Sequence, residues 1–574
     1  MKDFGSWWRR RLARLRERPP GEPPRRFLRS TLVLDVLAIV VLLAIPFLAW
    51  AREGVSYAPG KPWWILDSDQ YLYGPDAAAW AQNALALDQG RLADLDAHRM
   101  PTWTLFTVGF MHLFGVDVAL AGHLVNRIEH VLLGPVLYVL ARMLGARSLA
   151  FAAGALVVIQ PHLLASACRF GVDTTVTFMV PLLLMMAWMA GKWWWLAPLA
   201  GGVAALTMVS HLTALGFPLC GLLLLLCSGK GWWRRILGVL LYVGTAYLVL
   251  RWVFSVFPIL PDEFFRNAVA EGIAPTGEDM GNASRSASRA SALATLRDNA
   301  PVALNSVLRF IAHAFAPVGV PWALCVAFIW LGFLGPDAVR GTTPPVGSRR
   351  WAHATWALLR STGQGVAAAS ALAPMIAFAA AKAPERYSDN LLPVAGLLMV
   401  RGAATLVAAL SGAARFIASL APFRGRIEVA LGLVLAAAWS VGEWQEPHQR
   451  SAVLAPGFER QALPVGRALA LHFPSGGGAA SCLREVLPYA GMRYCPNTTC
   501  PFTDDESGYR RCIAIIRQEC GGSGDIPLVV TDALTPEQCP PNRVHFEAWV
   551  ESVLEPVATV GGSRIYAIPR SGDL

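Results

Sequence analysis

Long apolar segments, separated by short charged or Gly/Pro-rich breaks, run through most of the chain. Residues 31–50, 171–190 and 236–257 each reach the roughly 20 apolar residues that a helix needs to cross the hydrocarbon core of a bilayer. Counting such segments along the whole chain gives about eleven spans. The pattern therefore predicts a mainly α, polytopic membrane protein.

The last part of the chain, residues 443–574, has the polarity of an ordinary soluble domain. IPLVVTDA and SRIYAIPR have the composition of strands, and FEAWVESVL is typical of a helix, so we expect a small soluble α/β domain. An even set of cysteines in an external domain indicates disulfides, but spacing alone leaves their connectivity open. Zinc is the competing interpretation, although no CxxC pair is present. The cysteines are Cys482, Cys495, Cys500, Cys512, Cys520 and Cys539.

Composition and charge agree with a membrane protein. The 574 residues are 55% hydrophobic and only 15% charged, and the mean hydropathy is +0.44. The net charge of +10 raises the question of a nucleic-acid partner. However, the basic residues cluster in turns between apolar segments and form no single stripe. Positive charges in such turns are typical of residues that set the orientation of membrane helices. We expect contact with membrane lipids and none with nucleic acid.

The positive charges also predict the topology. Residues 1–30 form a basic tail that we expect in the cytoplasm, and no small-residue cleavage site follows the first apolar segment, so that segment is an uncleaved anchor. Long outer segments then cover residues 52–120, residues 258–303 and the extracytoplasmic domain 443–574. The Ala/Gly/Arg-rich composition indicates a bacterial inner membrane. On this topology, we expect the functional site on the outer face of the membrane.

The first outer loop contains GPDAAAWAQNAL, in which Asp76 opens a helix that is predicted to end near Gly90. A carboxylate in that position can simply complement the helix dipole. Downstream, HRMPTWTLFTVGFMHLFGVD has an apolar stretch of about fourteen residues, which is too short to span and suits an interfacial helix.

A polar stripe enters the next predicted span. His123, Arg127 and His130 are spaced i, i+4 and i+7, which places them on one face of a helix otherwise rich in Leu and Val. Ionisable groups at such depth are costly, so they are functional candidates. Snorkelling of these side chains to the outer surface is the alternative.

The order of these parts resembles the GT-C superfamily of membrane glycosyltransferases, in the branch of protein O-mannosyltransferases and lipid A aminoarabinose transferases. That branch has an acidic residue opening a helix in the first outer loop, a basic/proline motif, an interfacial helix, an arginine near the start of the second span, a later aspartate and a late Arg-Tyr motif. The similar residues are Asp76, Arg99 with Pro101, Arg127, Asp173 in RFGVDTTVTF, and Arg386 with Tyr387 in PERYSDNLLPVAGLL.

Three departures from the family pattern bear on the substrate and on phosphate binding. Ala77 follows Asp76, where the family often has a second acidic residue. Met100 interrupts a motif that often reads Lys-Pro-Pro, and His211 in SHLTAL stands where a lysine is frequent. The resemblance covers about residues 30–440.

The resemblance implies a GT-C-like transmembrane domain over residues 31–442, with the first outer loop 52–120 as the catalytic loop. It implies transfer of a sugar from a polyprenyl-phosphate donor to a hydroxyl of a protein, lipid or polysaccharide, with inversion. Asp76 would be the catalytic base. Asp173 would be a second acidic site residue that positions the acceptor or a metal, or else simply the charge at the N-terminus of its own helix. The donor-phosphate ligands would be Arg99, Arg127, Arg169, Arg386 and Tyr387. Further site candidates are His123, His130 and His211.

Several alternatives stay open on the sequence alone. A transporter or flippase for lipid-linked or anionic solutes would use the same outward arginines, although no internal repeat is evident. A structural or assembly protein would need fewer spans. Asp67-Ser68-Asp69 resembles a metal-holding acidic triplet, so no cofactor is certain and a divalent metal is open. Arg401, in a late span, is expected to snorkel rather than to bind lipid phosphate.

Overall fold

The structure is a computed structural model of the chain. It describes residues 27–52, 74–95, 99–146, 149–168, 170–211, 214–229, 231–257, 322–336, 339, 348–372, 391–413, 459–474, 477–481, 486–495, 506–520, 525–531 and 543–570. The predicted outer loop 258–303 lies outside these residues. The chain divides into two units, Met1–Val41 and Leu42–Leu574. In the first unit, the structure describes the beginning of a helix whose apolar side chains are exposed, including Val33 and Leu34.

Among the described residues that precede the C-terminal domain, the regular structure consists of helices. They are α1 Phe27–Arg52, α2 Gly74–Asp88, α3 Pro101–Phe114, α4 Val118–Met143, α5 Ala150–Val158, α6 Pro161–Ala167, α7 Asp173–Lys192, α8 Ala197–Met208, α9 Phe217–Ser228, α10 Trp232–Val256, α11 Trp322–Leu334, α12 Ser348–Ala369 and α13 Leu392–Ala413. The helices predicted in GPDAAAWAQNAL and in the apolar stretch after Arg99 are confirmed as α2 and α3, while the interfacial location of α3 stays a prediction.

Five of these helices, within the described part of the chain, are long and apolar enough to cross a membrane: α1, α4, α7, α10 and α13. The protein is therefore an integral membrane protein. The sequence-based count of about eleven spans extends to residues that the structure does not describe, and it stays a prediction. α10 exposes Leu240, Leu248 and Trp252, as expected of a helix that faces lipid.

Glycines allow α11 and α13 to pack closely. A Cβ built at Gly332 of α11 would overlap the carbonyl of Leu398, and one at Gly402 of α13 would overlap the carbonyl of Phe328. Small residues at such crossings let the backbones of membrane helices touch, which van der Waals packing requires in a lipid solvent.

Arg401 of α13 lies fully buried against α11, α12 and the end of α4, so the expectation that it snorkels is wrong. Its guanidinium donates to the carbonyls of Leu144 at 3.1 Å, Gly332 at 2.6 Å and Ser361 at 2.7 Å. A Cβ at Gly365 would collide with the guanidinium. Leu144 directly follows α4 and Gly332 lies in the last turn of α11, where carbonyls have no partner within the helix, whereas Ser361 lies inside α12. The buried cation satisfies the two helix ends and ties α4, α11 and α12 to α13.

We expect Arg401→Met to destabilise the protein strongly, since each buried carbonyl that loses its donor costs about 1–3 kcal/mol. The thermal unfolding midpoint in detergent, followed by tryptophan fluorescence, measures the loss. Arg251→Met is the matched control because Arg251 is an exposed arginine of α10. Equal midpoints for the two variants would show that the buried arginine contributes nothing to stability.

In the described residues of the C-terminal domain, five strands form one sheet that is covered by helices on both faces. The strand order is β2-β1-β3-β5-β4; β1 is parallel to β2 and β3, while β5 is antiparallel to β3 and β4. Its elements are α14 Glu459–His472, β1 Gly478–Ser481, α15 Val486–Tyr489, β2 Arg493–Tyr494, α16 Glu506–Glu519, β3 Ile526–Thr531, α17 Arg543–Val553, β4 Pro556–Val560 and β5 Ser563–Ile568.

The alternation of apolar residues along β3 explains why both faces of the sheet are covered. Leu528 and Val530 pack with α16 and α17, whereas Val529 packs with α14 and α15. The predicted α/β domain is confirmed, with IPLVVTDA containing β3, SRIYAIPR containing β5 and FEAWVESVL lying largely in α17.

One disulfide of the C-terminal domain joins Cys495 to Cys520. Gly478 lies against this bridge, since a Cβ there would overlap the Cys495 sulfur. Cys512 is disulfide-bonded as well. The prediction of disulfides is therefore confirmed, while Cys482, Cys500 and Cys539 lie outside the described residues.

Candidate functional site

Asp76 lies in the first turn of α2, as the Gly-Pro-Asp sequence predicts. The structure describes the backbone of this residue, and the helix places Asp76 one turn before Trp80 on the same face. Trp80 is buried, and the guanidinium of Arg99 lies over its ring, 5.5 Å from the centroid. The indole therefore brings a cation next to the helix that Asp76 opens.

Aromatic side chains continue from α2 into the membrane helices. Trp80 meets Trp103 of α3 edge to face at 5.5 Å, and Trp103 meets Phe170 at 4.7 Å. Phe170 in turn contacts the ring of His123 at 5.4 Å. The Trp103 indole N–H donates to Asn126 Oδ1 at 2.9 Å, which fixes α3 against α4. We call Trp80, Trp103, Phe170 and His123 the aromatic row.

Gly122 of α4 makes room for the aromatic row. A Cβ at this position would lie 2.7 Å from Phe170 Cζ and 2.8 Å from Trp103 Cζ2, closer than real Cβ atoms approach other side chains. The two rings can therefore meet above α4 only because residue 122 has no side chain.

We predict that Gly122→Ala destabilises the protein by about 1–3 kcal/mol, the usual cost of overpacking a filled core. Gly109→Ala is the matched control, because a Cβ at this exposed glycine of α3 meets nothing within 4 Å. Thermal unfolding of both variants in the same detergent provides the comparison. A stable Gly122→Ala and a destabilised Gly109→Ala would contradict the packing that we describe.

Arg127 lies deeper in α4 and is 3% exposed. Its guanidinium covers the ring of Trp50 at 4.9 Å, and Nη2 donates to the Cys168 sulfur at 3.9 Å. His130 packs 5.6 Å from the same tryptophan, and its Nε2 lies 3.0 Å from the Val158 carbonyl oxygen. The predicted stripe is therefore buried inside the protein, and snorkelling to the outer surface does not describe it.

Glu129 is a buried acidic residue that sequence reasoning missed. Its Oε2 accepts a hydrogen bond of 2.7 Å from the Thr175 hydroxyl, which joins α4 to the first turn of α7. The two residues before Thr175 are Thr174, which bonds Ser166 at 3.3 Å, and Asp173. An intramembrane carboxylate two positions from Arg127 was the available signal in the sequence.

The remaining candidates divide into those that the structure places and those outside its described part. Asp173 is the first residue of α7, three positions after Phe170, and is therefore close to the aromatic row along the chain. His211 is half-buried and follows Val209, whose carbonyl accepts the Thr102 N–H of α3 at 3.3 Å. Arg169, Arg386 and Tyr387 lie outside the described residues.

The aromatic row thus connects Arg99, which lies over Trp80 of α2, to His123 of α4. Arg127 lies one turn further along α4, and Asp173 begins α7 three residues after Phe170. Within the described ranges, no group of three His, Cys, Asp or Glu residues is arranged to hold a metal ion. The triplet Asp67-Ser68-Asp69 lies outside those ranges.

No protein-family model and no curated protein sequence matches the chain. Solved structures match almost its whole length. Apo ArnT from Cupriavidus metallidurans is 14% identical with a TM-score of 0.50, and the match covers 94% of this chain and 98% of that one. ArnT bound to undecaprenyl phosphate is 14% identical with a TM-score of 0.51, covering 93% and 97%. Both belong to the GT-C superfamily.

The chain has the GT-C fold. A second GT-C protein agrees: the apo oligosaccharyltransferase of Archaeoglobus fulgidus is 12% identical with a TM-score of 0.51, and the match covers 93% of this chain and 75% of that one. The fold that the order of motifs predicts is therefore confirmed. In the chain, α2 and α3 lie between α1 and α4, two helices that are long and apolar enough to cross a membrane.

Proposed function

We propose that the protein is an integral membrane glycosyltransferase that moves a hexose or pentose from a polyprenyl-phosphate donor to a hydroxyl acceptor on the extracytoplasmic face. The observation that carries the proposal is that the Arg99 guanidinium lies over Trp80, in the helix that contains Asp76. Arg127 is buried in α4, one turn after His123 of the aromatic row, and its guanidinium lies over Trp50. The GT-C fold supports it, as does the solved ArnT of the same fold with undecaprenyl phosphate bound.

The reaction needs a base and a receptor for negative charge. The acceptor oxygen attacks the anomeric carbon, its proton passes to Asp76, and the bond between that carbon and the phosphate oxygen breaks. A positioned base of this kind contributes about 10²- to 10⁴-fold to the rate. Attack from the face opposite the phosphate inverts the anomeric centre.

The electrons of the broken bond go to the leaving polyprenyl phosphate, whose charge becomes more negative. Arg99 and Arg127 would receive this charge, because a guanidinium matches phosphate oxygens with two parallel N–H donors. Both guanidinium groups already lie against indole rings, which restricts their motion before the donor arrives. Arg169, Arg386 and Tyr387 would complete the phosphate site, and Asp173 would be the second acidic residue beside the acceptor. His123, His130 and His211 stay candidates for polar contacts in the same region.

The proposed orientation follows from the charge pattern of the sequence. The basic N-terminus would be cytoplasmic, and residues 443–574 would lie outside with their disulfide bonds, in an oxidising compartment. Together with the Ala/Gly/Arg-rich composition, this favours the inner membrane of a bacterium. The acceptor would be a protein, lipid or polysaccharide hydroxyl of the cell envelope.

The test incubates the purified full-length protein with a panel of polyprenyl-phosphate sugars and a crude envelope acceptor fraction. We expect free polyprenyl phosphate to appear with at least one donor, and only when the acceptor is present. Release of polyprenyl phosphate at the same rate without acceptor would mean hydrolysis instead of transfer. Absence of turnover with every donor would favour a transporter or flippase.

A further inference from the structure

The C-terminal domain forms an ion pair with Asp94, in the segment that follows α2. Asp94 Oδ1 accepts from Arg493 Nη1 of β2 at 3.0 Å, and Asp94 Oδ2 accepts from Arg91 Nη1 at 2.9 Å. The side chain of Asp94 is 19% exposed and that of Arg493 36% exposed, so the group is partly shielded from water. Asp94 lies six residues after the last residue of α2 and belongs to a short 3₁₀ helix, Leu92–Asp94.

A second contact lies next to this ion pair. The short helix α15, which precedes β2, packs against α2 itself. The turn after α15 has Gly491 at φ +64°, close to the side-chain amide of Gln89 just beyond the end of α2. Packing on α2 and an ion pair beyond its end together hold the helix at two points.

Arg493 is well placed to hold another segment because its own strand is fixed. The Arg493 N–H donates to the Gly477 carbonyl at 2.8 Å, and the Cys495 N–H donates to the Ala479 carbonyl at 3.0 Å. Two residues after Arg493, the disulfide to Cys520 anchors the end of β2 to the domain core. The sheet therefore keeps the position of Arg493, whereas Asp94 is held in a connecting segment.

We propose that the C-terminal domain holds α2 in position, with Arg493 and Asp94 as positioning residues for Asp76. We call the Asp94–Arg493 ion pair and the packing of α15 on α2 the brace. An isolated surface ion pair is worth little, but here two arginines share one carboxylate beside a packed helix. The brace reaches the end of α2 opposite to Asp76, and a rigid helix transmits the position of one end to the other. The expected effect of the brace on kcat rests on the proposed function. The expected effect on the opening of α2, measured by hydrogen exchange, does not.

The first arm of the experiment measures hydrogen exchange of the α2 amides in the full-length protein in nanodiscs, without donor. We expect Arg493→Gln to speed exchange in α2 about tenfold, because opening of the helix becomes easier. Arg493→Lys, which keeps the charge, should restore most of the protection. Arg510→Gln is the matched control, since Arg510 forms an exposed ion pair with Glu506 at 2.8 Å in the same domain.

A double-mutant cycle with Asp94→Asn tests whether the two residues act as a pair. The double variant Asp94→Asn/Arg493→Gln should exchange no faster than Asp94→Asn alone, because the shared interaction is already lost. Additive effects in the cycle would overturn the pairing. Exchange in α2 that equals that of the Arg510→Gln control would overturn the brace.

The second arm measures transferase kinetics of the same variants. A misplaced base should lower kcat by about 10- to 100-fold while the KM for the donor stays near that of the wild type. Rescue of kcat by Arg493→Lys would support positioning by charge. Faster α2 exchange with an unchanged kcat would overturn the positioning role. A wild type without turnover would reject the proposed function and, with it, that role, while the exchange arm would still decide the brace.

Discussion

Asp76→Asn is expected to lower the rate of acceptor-dependent polyprenyl phosphate release by about 10²- to 10⁴-fold, the contribution of a positioned base. Asparagine has nearly the same shape, and losing a carboxylate from the first turn of a helix costs only about 0.3–1 kcal/mol, so α2 should stay folded. The variant should bind donor like the wild type, because the amide removes a proton acceptor and leaves the arginines in place. Initial rates at saturating donor measure the effect.

Asp117→Asn provides the matched control for this prediction. Asp117 also stands at a helix N-terminus, where its Oδ1 accepts the Leu120 N–H at 2.8 Å, and it lies outside the aromatic row. We expect its rate to stay within a factor of about two of the wild type, since Asn caps helices as well as Asp. If Asp76→Asn were as active as Asp117→Asn, Asp76 would not be the base.

Arg127→Gln is expected to produce the second large loss, about 10²- to 10³-fold in kcat, as when one donor to a developing negative charge is removed. Arg127→Lys should recover only part of it, because an ammonium group keeps the charge without the two-pronged geometry. Steady-state kinetics on protein that elutes as a single species in size-exclusion chromatography measure both variants.

The matched control lies at the other end of the same helix. Arg142 donates to the Tyr138 hydroxyl at 3.0 Å in the last turns of α4, away from Trp50 and the aromatic row. Arg142→Gln should leave kcat near the wild-type value. A similar loss in both variants would assign the effect of Arg127→Gln to the stability of α4 and would remove Arg127 from the phosphate site.

The local elements of the first loop could be predicted because their signals are local. Proline at the first turn of α2 and Gly90 after its end follow from backbone geometry, and the length of α3 follows from counting apolar residues. The stripe of His123, Arg127 and His130 could be placed on one face from helical periodicity alone. These residues could thus be named before their surroundings were known.

The partners of these residues could not be predicted, because they are distant in the chain. Trp50 meets Arg127 from another helix, and the Glu129 hydrogen bond to Thr175 joins residues that are 46 positions apart. Arg401 shows the consequence most clearly. A lone arginine in an apolar segment resembles a snorkelling residue until Leu144, a partner 257 positions away, shows that it caps helix ends.

The contact between the first loop and the C-terminal domain is a similar case. Asp94 and Arg493 are 399 positions apart, and each has ordinary polar neighbours in the sequence. Neither residue resembles part of a site by spacing or by motif. Only the folded chain identifies them as a connection between the disulfide-bonded domain and the helix of Asp76.

The most direct test of the central claim uses a donor labelled in both its sugar and its polyprenyl chain, with the purified protein in proteoliposomes and acceptor on the extracytoplasmic side. The account predicts that the two labels separate in a one-to-one ratio, the sugar on the acceptor and the polyprenyl chain as free polyprenyl phosphate. Both labels crossing the bilayer together in one intact molecule would contradict it.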